Sequence, residues 1–390
     1  MAESYSRREF LKIGAGLSFG AFLAACAGAA SPAPSTGGAS TAPSPSSAGS
    51  AAPSIKAVPS ASPGPINFLT WSDHWGKDEI KAVKSSTGIA VNVTELADNI
   101  DGFNKLNQVH GQLDVVSGDA LWVPKYYDAG LIEAVDINSF KVASELYSMA
   151  RSFPFWTKSD GYLAYPWGWS PIQIAFNPKF VTPAPDSWAV LIDPKYKGKV
   201  VMERQPTDMM LFAGVATGAK DIYNMTDTEL AAAKDWLTKL KPNILKLVKQ
   251  NNETIASLAS EEAWLGTQNL GSPDRVKKAG GPEIQAFVPK EGTTGFIDGE
   301  MTVKGGQNHD RVHAYIEAGA TAEFVAQNFL DNGRPLWNEK AYTLLVNMGK
   351  KDQADRYLYN QPDLALKMQL KGPSGNTDAY IKAWQEVFGA

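Results

Sequence analysis

Residues 66–93 of this chain read INFLTWSDHWGKDEIKAVKSSTGIAVNV. The stretch from Ile66 to Trp71 is short and apolar, which is typical of a buried strand. Asp78 to Ser86 predicts a helix closed by Thr87-Gly88, and Ile89 to Val93 predicts a second strand. A strand, a helix and a strand in close succession predict a β-α-β unit, with its two strands parallel in one sheet.

The same alternation continues along the chain. Strands are predicted at 113–116, 172–176, 199–202, 284–288 and 301–303, and helices at 124–129, 208–217, 228–240, 309–318 and 322–329. The predicted fold class is therefore α/β. Since ligands of such sheets bind outside the carboxyl ends of the strands, this pattern points to Trp71–Trp75 and to Ser117–Leu121. We expect Ser117-Gly118-Asp119 to form a turn.

Length and composition narrow the class of protein. The chain has 390 residues, a formal charge of −4 and 44% hydrophobic residues, which suggests two globular domains or lobes. The acidic balance excludes a generally basic, phosphate-coating nucleic-acid binder. A single cysteine excludes a disulfide framework and a cysteine-rich metal site.

The first 26 residues predict an export signal. Arg7-Arg8, followed by Phe10, Leu11 and Lys12, matches the twin-arginine pattern. The apolar run from Ile13 to Ala25 is too short to span a bilayer, which needs about 20 residues. A basic start, a short apolar stretch and small residues at its end are typical of a signal peptide.

Leu23-Ala24-Ala25-Cys26 resembles the lipobox of bacterial lipoproteins, in which cleavage leaves the cysteine as a lipidated N-terminus. We therefore expect Cys26 to carry the lipid. The protein would be exported and held on the outer face of the cytoplasmic membrane or in the periplasm, anchored rather than embedded.

Residues 27–65 are predicted to form a disordered tether. From 27 to 54 every residue is Ala, Gly, Ser, Pro or Thr, a composition that cannot bury enough apolar surface to offset the entropy of ordering. The globular part is expected to begin near Ile66.

Catalytic and metal-binding motifs are absent from the sequence. There is no G-x-S-x-G elbow, Walker loop or G-x-G-x-x-G fingerprint. His309 and His313 have the zincin spacing, but Asp310 stands where the general-base Glu would be needed. Tyr126-Tyr127 is better explained by partial burial than by ferric-ion binding. We expect no enzyme activity, cofactor or metal, although a secreted enzyme on a two-lobed scaffold, or a surface adhesin, stays an alternative.

Three stretches together resemble the polyamine-type (spermidine/putrescine-binding-like) solute-binding proteins of ABC transporters. The first is INFLTWSDH at 66–74. The second is AYPWGWSPIQIAFN at 164–177, followed by SW at 187–188 and DPKYKGKV at 193–200. The third is VPKEG at 288–292 with FIDG at 296–299. Their order and spacing agree with that family across essentially all of residues 66–390.

The resemblance implies a type II periplasmic-binding fold, in which two α/β lobes close on a solute at the hinge. It implies that lobe 1 comprises 66–170 and 296–340 and that lobe 2 comprises 171–295 and 341–390. It further implies that a membrane permease and an ATPase are partners, and that the protein is a monomer without a cofactor.

The ligand-binding positions of the family can be carried over to this sequence residue by residue. The resemblance places ligand contacts at Trp71, in the loop that also holds Asp73 and His74, and at Asp119. It places others at Gln205 and Asp208, beside Arg204, at Phe296-x-Asp298, and at Arg334. One acidic position of the family's lobe-two pair is Gln205 here. Asp208 could equally be a helix N-cap.

The charges of these residues do not decide between a cationic ligand and an anionic or zwitterionic one. Asp73, Asp119 and Asp298 would supply carboxylates for an ammonium, with Trp71, Trp167 and Phe296 as apolar walls. Arg204 and Arg334, if they face the cleft, would attract a carboxylate or phosphonate instead. We therefore expect spermidine, putrescine or a related amine. A zwitterionic or anionic amino compound is the first alternative, and thiamine or a metal chelate is the next.

Overall fold

The computed structural model describes residues 64–75 and 77–389. The predicted signal peptide, the lipidation site at Cys26 and nearly all of the tether lie outside these residues. Among the helices described, none is both long and apolar enough to cross a membrane.

The described residues form thirteen strands: β1 Ile66–Thr70, β2 Val91–Glu95, β3 Val115–Asp119, β4 Thr157–Lys158, β5 Gly161–Tyr162, β6 Tyr165–Pro171, β7 Gln173–Phe176, β8 Val200–Glu203, β9 Ile244–Val248, β10 Leu265–Gln268, β11 Gln285–Phe287, β12 Thr294–Thr302 and β13 Gln369–Leu370.

They also form thirteen α-helices: α1 Lys77–Thr87, α2 Asn99–Gln108, α3 Val123–Asp128, α4 Pro206–Thr217, α5 Asp227–Leu240, α6 Asn251–Ala259, α7 Ser272–Lys278, α8 His309–Gly319, α9 Ala322–Asn332, α10 Glu339–Asn347, α11 Lys351–Arg356, α12 Asp363–Lys367 and α13 Thr377–Phe388. Short 3₁₀ turns connect several of them.

Two mixed sheets carry the fold, and we name the halves built on them lobe 1 and lobe 2. The sheet of lobe 1 has the order β13-β12-β3-β1-β2, with β6 also paired to β12. The sheet of lobe 2 has the order β11-β7-β10-β8-β9. Within them β1 is parallel to β2 and β3, and β8 is parallel to β9 and β10, as the alternating pattern predicts.

The chain crosses between the lobes at places that position the cleft. Only Ile172 separates β6 in lobe 1 from β7 in lobe 2, so this crossing is short and buried. The segment 288–293 leads back from β11 to β12. After β13 the chain crosses again, and α13 packs on α4 and α5 of lobe 2.

The C-terminal region differs from the predicted lobe boundaries. Residues 341–390 were assigned to lobe 2 as a block, but β13 pairs in parallel with the start of β12 and so belongs to the sheet of lobe 1. Helix α10 packs against α9 of lobe 1. Gln369 of β13 lies 75 residues after Thr294, its partner on β12. A local sequence pattern does not reveal a pairing over such a distance.

Strand β3 also runs further than predicted. The expected turn at Ser117-Gly118-Asp119 is a continuous part of this strand, because each of these residues pairs with one on the antiparallel strand β12. The pairing places Asp119 directly opposite Asp298. The strand extension therefore brings two predicted site residues together.

Candidate functional site

A cleft lies between the lobes at the carboxyl ends of β1, β3, β8 and β10. Lobe 1, lobe 2 and the crossing segments all line it, and the cavity has a volume of about 50 Å³. Its polar and aromatic lining comprises Trp71, Asp73, His74, Asp119, Glu203, Gln205, Gln250, Asn251, Thr267, Gln268, Asn269, Phe296, Asp298, Arg334 and Lys371, with Ile172 and Phe212.

The lobes are in contact around this cleft, so the structure shows a closed arrangement. Gln250 Nε2 of lobe 2 donates to Leu96 O of lobe 1 at 3.1 Å. Lys278 and Asp331 form an ion pair at 2.6 Å on the outer rim. Gly271 (φ +83°) lies so close to lobe 1 that a Cβ there would be 2.2 Å from Asn332 O.

Asp119 and Asp298 form a buried carboxyl pair at the floor of the cleft. They are 3% and 2% exposed, are cross-strand partners and share a side-chain hydrogen bond. Asn99 holds Asp119 from the other side, since its Nδ2 donates to Asp119 Oδ2 at 2.8 Å and its Oδ1 accepts from Asp119 N at 3.0 Å. His74 Nε2 lies 2.9 Å from Asp298 Oδ2.

Burial raises the pKa of both members of the carboxyl pair. Burial, together with the neighbouring Asp298 carboxyl, raises the pKa of Asp119 to about 8, although Lys371 opposes this shift. Burial raises the pKa of Asp298 to about 6, against the opposing effects of the Asp119 hydrogen bond and Arg334. Two carboxyls in contact cannot both ionise cheaply, so the pair holds a proton near neutral pH.

His74 is a neutral partner of this pair. Burial, and then the charge of Arg334, lower its pKa to about 3. Its other ring nitrogen, Nδ1, lies 3.5 Å from Ser117 Oγ. A neutral imidazole orients Asp298 without neutralising it, so a charge on the pair stays available to a ligand.

Asp73 has the opposite environment. It lies with Arg275 and Arg334 in a group that we call the arginine cluster. Arg334 Nη1 lies 3.1 Å and Arg275 Nη1 3.7 Å from Asp73 Oδ2. Arg334 Nη2 also donates to Asp73 O at 3.2 Å. Burial alone would raise the pKa of Asp73, but the two guanidinium groups lower it to about 2. Asp73 is thus permanently ionised and already paired.

Lys371 enters the cleft from the segment after β13 and forms what we call the lysine subsite with Gln205 and Asp208. Its Nζ lies 2.6 Å from Asp208 Oδ2 and 3.2 Å from Gln205 Oε1. Burial alone would lower the pKa of Lys371, but the carboxylates of Asp208, Asp119 and Glu203 hold it above its ordinary value. Lys371 is therefore a fixed cation inside the cleft.

Aromatic side chains cover these charges. Phe296 lies beneath both cations, with its ring centroid 5.9 Å from Arg334 and 5.9 Å from Lys371 Nζ. Trp71 tilts over His74 at a ring distance of 5.0 Å. Ring faces next to cations are electrostatically favourable, so this wall suits a ligand that combines alkyl carbons with an ammonium.

The structure brings most of the predicted site residues together. Eight of them line the cleft: Trp71, Asp73, His74, Asp119, Gln205, Phe296, Asp298 and Arg334. Asp208 lies just behind the lining, paired with Lys371. It is not a helix N-cap, because Gln205 occupies that position of α4.

Two predicted residues lie elsewhere. Arg204 does not face the cleft: it is exposed, and its guanidinium lies over Trp384 at 5.4 Å. Side chains alternate along a strand, so Glu203 at the end of β8 faces the cleft and its neighbour points away. Trp167 is buried one layer behind the lining, where it stacks on Trp75 at 5.4 Å and supports the loop that carries His74.

Sequence reasoning missed several residues of the cleft. Glu203 and Gln268 end strands β8 and β10, the position that the strand-end rule identifies, so this signal was present in the sequence. Lys371 carried no comparable signal. Both amide atoms of Gln268, and Nε of Arg334, are buried without a hydrogen-bond partner among the described residues. Both residues line the cleft, so a ligand is one candidate partner for these atoms.

The arrangement is suited to binding a small solute. In the described part of the chain, no group of three or more His, Cys, Asp or Glu side chains could hold a metal ion. What the cleft offers is carboxylates, fixed cations and aromatic faces between two closing lobes. These are the features of a solute-binding protein.

Comparison with known families agrees with this class. Residues 80–351 match the model of the bacterial extracellular solute-binding protein family, which is most of the globular part. The chain belongs to this family and is the substrate-binding protein of an ABC transporter. This confirms the two-lobed α/β fold and the family resemblance inferred from the sequence.

The chain is similar to the spermidine/putrescine-binding periplasmic protein of Escherichia coli, with 28% identity over 256 residues, covering 64% of this chain and 71% of the relative. A Listeria monocytogenes structure assigned to a spermidine/putrescine ABC transporter has a TM-score of 0.74 at 20% identity, over 83% of this chain and 98% of that one.

A third relative has another kind of ligand. The binding protein MotA from A. tumefaciens, solved in complex with glucopine, has a TM-score of 0.66 at 17% identity, over 83% of this chain and 99% of that one. At such identities the structural likeness establishes the fold alone. The solute of this chain must therefore be argued from its own cleft.

Proposed function

We propose that this chain captures a small organic amine, of the class that includes putrescine and spermidine, and delivers it to an ABC permease. One observation carries the proposal. The carboxyl pair of Asp119 and Asp298 is buried, and neither member forms an ion pair with a lysine or arginine among the described residues. A buried carboxylate without a cation is unfavourable, and an ammonium from the ligand would remove that cost.

The aromatic wall supports the same ligand. Trp71 and Phe296 line the cleft near the carboxyl pair and would cover the alkyl chain of an amine. The E. coli relative is named for binding spermidine and putrescine. The lobes would close because contacts on both sides of the cleft favour the shut state. Capture and release require no covalent change, so we propose no enzymatic step.

We further propose that the protein is a monomer exported by the twin-arginine route and held at the membrane by a lipid on Cys26. Small residues before the lone cysteine, at the end of a short apolar run, support this anchor. Replacing Cys26 with Ala should release the protein from the membrane fraction. A variant that stays membrane-bound would contradict the anchor.

A zwitterionic amino compound, such as an amino-acid derivative or opine, is a second candidate. Nε of Arg334 and Nε2 of Gln268 are buried donors without a partner in the described structure, and both belong to residues that line the cleft. Such donors would bind a carboxylate at the other end of the ligand. The MotA neighbour, which holds glucopine, shows that this fold accommodates an opine.

A thermal-shift screen tests both candidates. The full chain is heated with putrescine, spermidine, 4-aminobutyrate, amino acids, opines, an aminophosphonate and thiamine. A ligand at about 100 times its Kd adds about 2.7 kcal/mol of stability, a shift of a few degrees. Stabilisation by compounds that carry an ammonium supports the proposal, and an added acid group that strengthens binding selects the second candidate. Stabilisation only by compounds without an ammonium would contradict both.

A further inference from the structure

Lys371 presents an ammonium group inside the cleft, in surroundings that would suit the ammonium of a ligand. A carboxylate (Asp208) and an amide oxygen (Gln205) accept from its Nζ, and the ring of Phe296 lies 5.9 Å away. The side chains of Lys371 and Asp208 are each only 12% exposed. Carboxylate, amide oxygen and aromatic face together form a complete site for a primary ammonium.

The lysine reaches this place because of the chain crossing at the hinge. Lys371 N donates to Gly295 O, which fixes the backbone beside the start of β12. The side chain then extends from the hinge to the N-terminal turn of α4 in lobe 2, where Asp208 lies. The ammonium at this place therefore comes from the protein itself.

The charges of the cleft leave room for one more cation. When Glu203 is ionised, four negative charges come from Asp73, Glu203, Asp208 and the carboxyl pair with one shared proton. Arg275, Arg334 and Lys371 provide three positive charges. One ammonium, next to Asp119 and Asp298, balances this set. A second ammonium at the lysine subsite would meet the ammonium of Lys371, which already occupies it.

We infer that Lys371 permanently occupies one of two ammonium subsites of the cleft and so restricts the ligand to compounds with a single ammonium group. Lys371 is then the specificity-determining residue that separates single-ammonium ligands from diamines. This inference rests on the proposed capture of an amine and narrows its ligand class. Removing the lysine charge should open the second subsite to a diamine.

The test compares butylamine, 4-aminobutyrate and putrescine, which share a four-carbon chain, by calorimetric titration of the full chain. Wild-type protein should bind a single-ammonium compound more tightly than putrescine. Lys371→Met, which removes the ammonium and ends one atom short of its position, should bind putrescine at least about tenfold more tightly than wild type does, since buried charge pairs couple strongly. The matched control Lys367→Met alters an exposed lysine of α12 and should change no affinity.

A second variant guards against misfolding and locates the subsite. The double variant Lys371→Met/Asp208→Asn leaves no buried unpaired charge at this place. It should lose the gain for putrescine that Lys371→Met alone shows. If wild type binds amines but prefers putrescine, or if a folded Lys371→Met gains nothing, the inference is overturned and the amine proposal stands. If wild type binds none of the three, the proposed function itself fails.

Discussion

Two groups of aspartates in the same cleft have opposite environments. Asp73 lies between Arg334 and Arg275, and its pKa is lowered to about 2. Asp119 and Asp298 face each other and a neutral His74, and burial raises their pKa values to about 8 and 6. All three side chains are buried and all three line the same cavity.

The difference shows that a carboxylate in a binding cleft is not by itself a ligand contact. A carboxylate that already has two guanidinium partners is satisfied, and it holds the cleft together. A pair that shares a proton is unsatisfied in the charged state and gains from an added cation. We therefore assign a structural role to the arginine cluster and a binding role to the carboxyl pair, and each assignment has its own test.

The largest expected effect is on stability, from Asp73→Asn. Removing this charge leaves two buried guanidinium groups without their anion, so the free energy of unfolding should fall by roughly 3–5 kcal/mol. Chemical denaturation of the free protein measures it. Asp331→Asn is the matched control, because it breaks a more exposed ion pair with Lys278 and should cost about 1 kcal/mol or less. Equal losses in the two variants would contradict the structural role of the cluster.

The next effect is on affinity, from Asp298→Asn. The change keeps the shape of the side chain but removes the anion beside the ammonium, so amine binding should weaken by about 3 kcal/mol, or about a hundredfold. Calorimetric titration gives the Kd. Glu300→Gln is the control, since it alters a buried carboxyl on the same strand that lies outside the cleft lining. An unchanged Kd for Asp298→Asn would remove the carboxyl pair from the binding site.

Local patterns in the sequence were sufficient to predict the α/β class and many elements. Strand β1 was predicted with its correct start, because an apolar run bounded by polar loop residues is a local signal. The nine-residue strand β12 was predicted only at its end, 301–303, since its Gly and Asp residues are poor strand formers by themselves. Pairing with β3 and β6 stabilises it, and this information is not local.

The residues of the site likewise include some that local or family patterns predict and some that only long-range contacts reveal. Asp119 and Asp298 were predicted from the family resemblance, and their direct pairing follows from strand register. Charge partners were not predictable, because Arg275 and Lys371 are brought to the cleft by elements far away in the chain. From the sequence alone Asp73 therefore groups with Asp119 and Asp298 as an ammonium ligand, although its partners give it a different role. Arg204 follows Glu203, the last residue of β8, and its guanidinium lies over Trp384 instead of in the cleft.

The third prediction concerns how the free energy of unfolding depends on pH. The carboxyl pair and Asp73 should contribute to it in opposite senses. Folding raises the pKa values of Asp119 and Asp298 from the ordinary 3.8, so the folded free protein binds more protons than the unfolded chain between about pH 4 and 8. Its free energy of unfolding should therefore fall as pH rises through this window, by up to about 1.4 kcal/mol per pH unit for each proton. Asp73, with its lowered pKa, contributes in the opposite sense, and only below about pH 4.

Amine affinity should change in the other direction. The singly ionised pair binds the ammonium. Below about pH 6 the free pair takes up a second proton, which binding releases, so the Kd should decrease by up to about tenfold per pH unit as pH rises from about 4 to 6 and then stay level. Lys371, whose pKa is held above its ordinary value, and Asp73, whose pKa is lowered to about 2, keep their charges throughout this range. Asp119→Asn should flatten the profile. Glu300→Gln removes another buried carboxyl with a pKa of about 8, so it should reduce the stability slope and leave the affinity slope unchanged. An affinity that decreases as pH rises would contradict ammonium binding at the pair.

The smallest expected effect separates the aromatic wall from the carboxyl pair. Trp71 is only partly buried, and its ring contacts His74 rather than any fixed cation of the arginine cluster. Its face is thus free to cover the ammonium or alkyl chain of the ligand. Trp71→Leu keeps an apolar side chain but loses the ring, so amine binding should weaken by about 1 kcal/mol, with little change in stability.

Trp71→Phe is the matched variant, because it retains an aromatic face and should recover part of the lost affinity. Comparing an amine with its uncharged alcohol analogue by titration then shows what the ring recognises. A loss confined to the amine assigns Trp71 to the ammonium and extends the binding role from the carboxyl pair to the wall. An equal loss for the alcohol assigns it to the alkyl chain, since apolar contact does not distinguish the two compounds. No loss for either compound would leave the carboxyl pair, and not the ring, as the source of affinity on this side of the cleft.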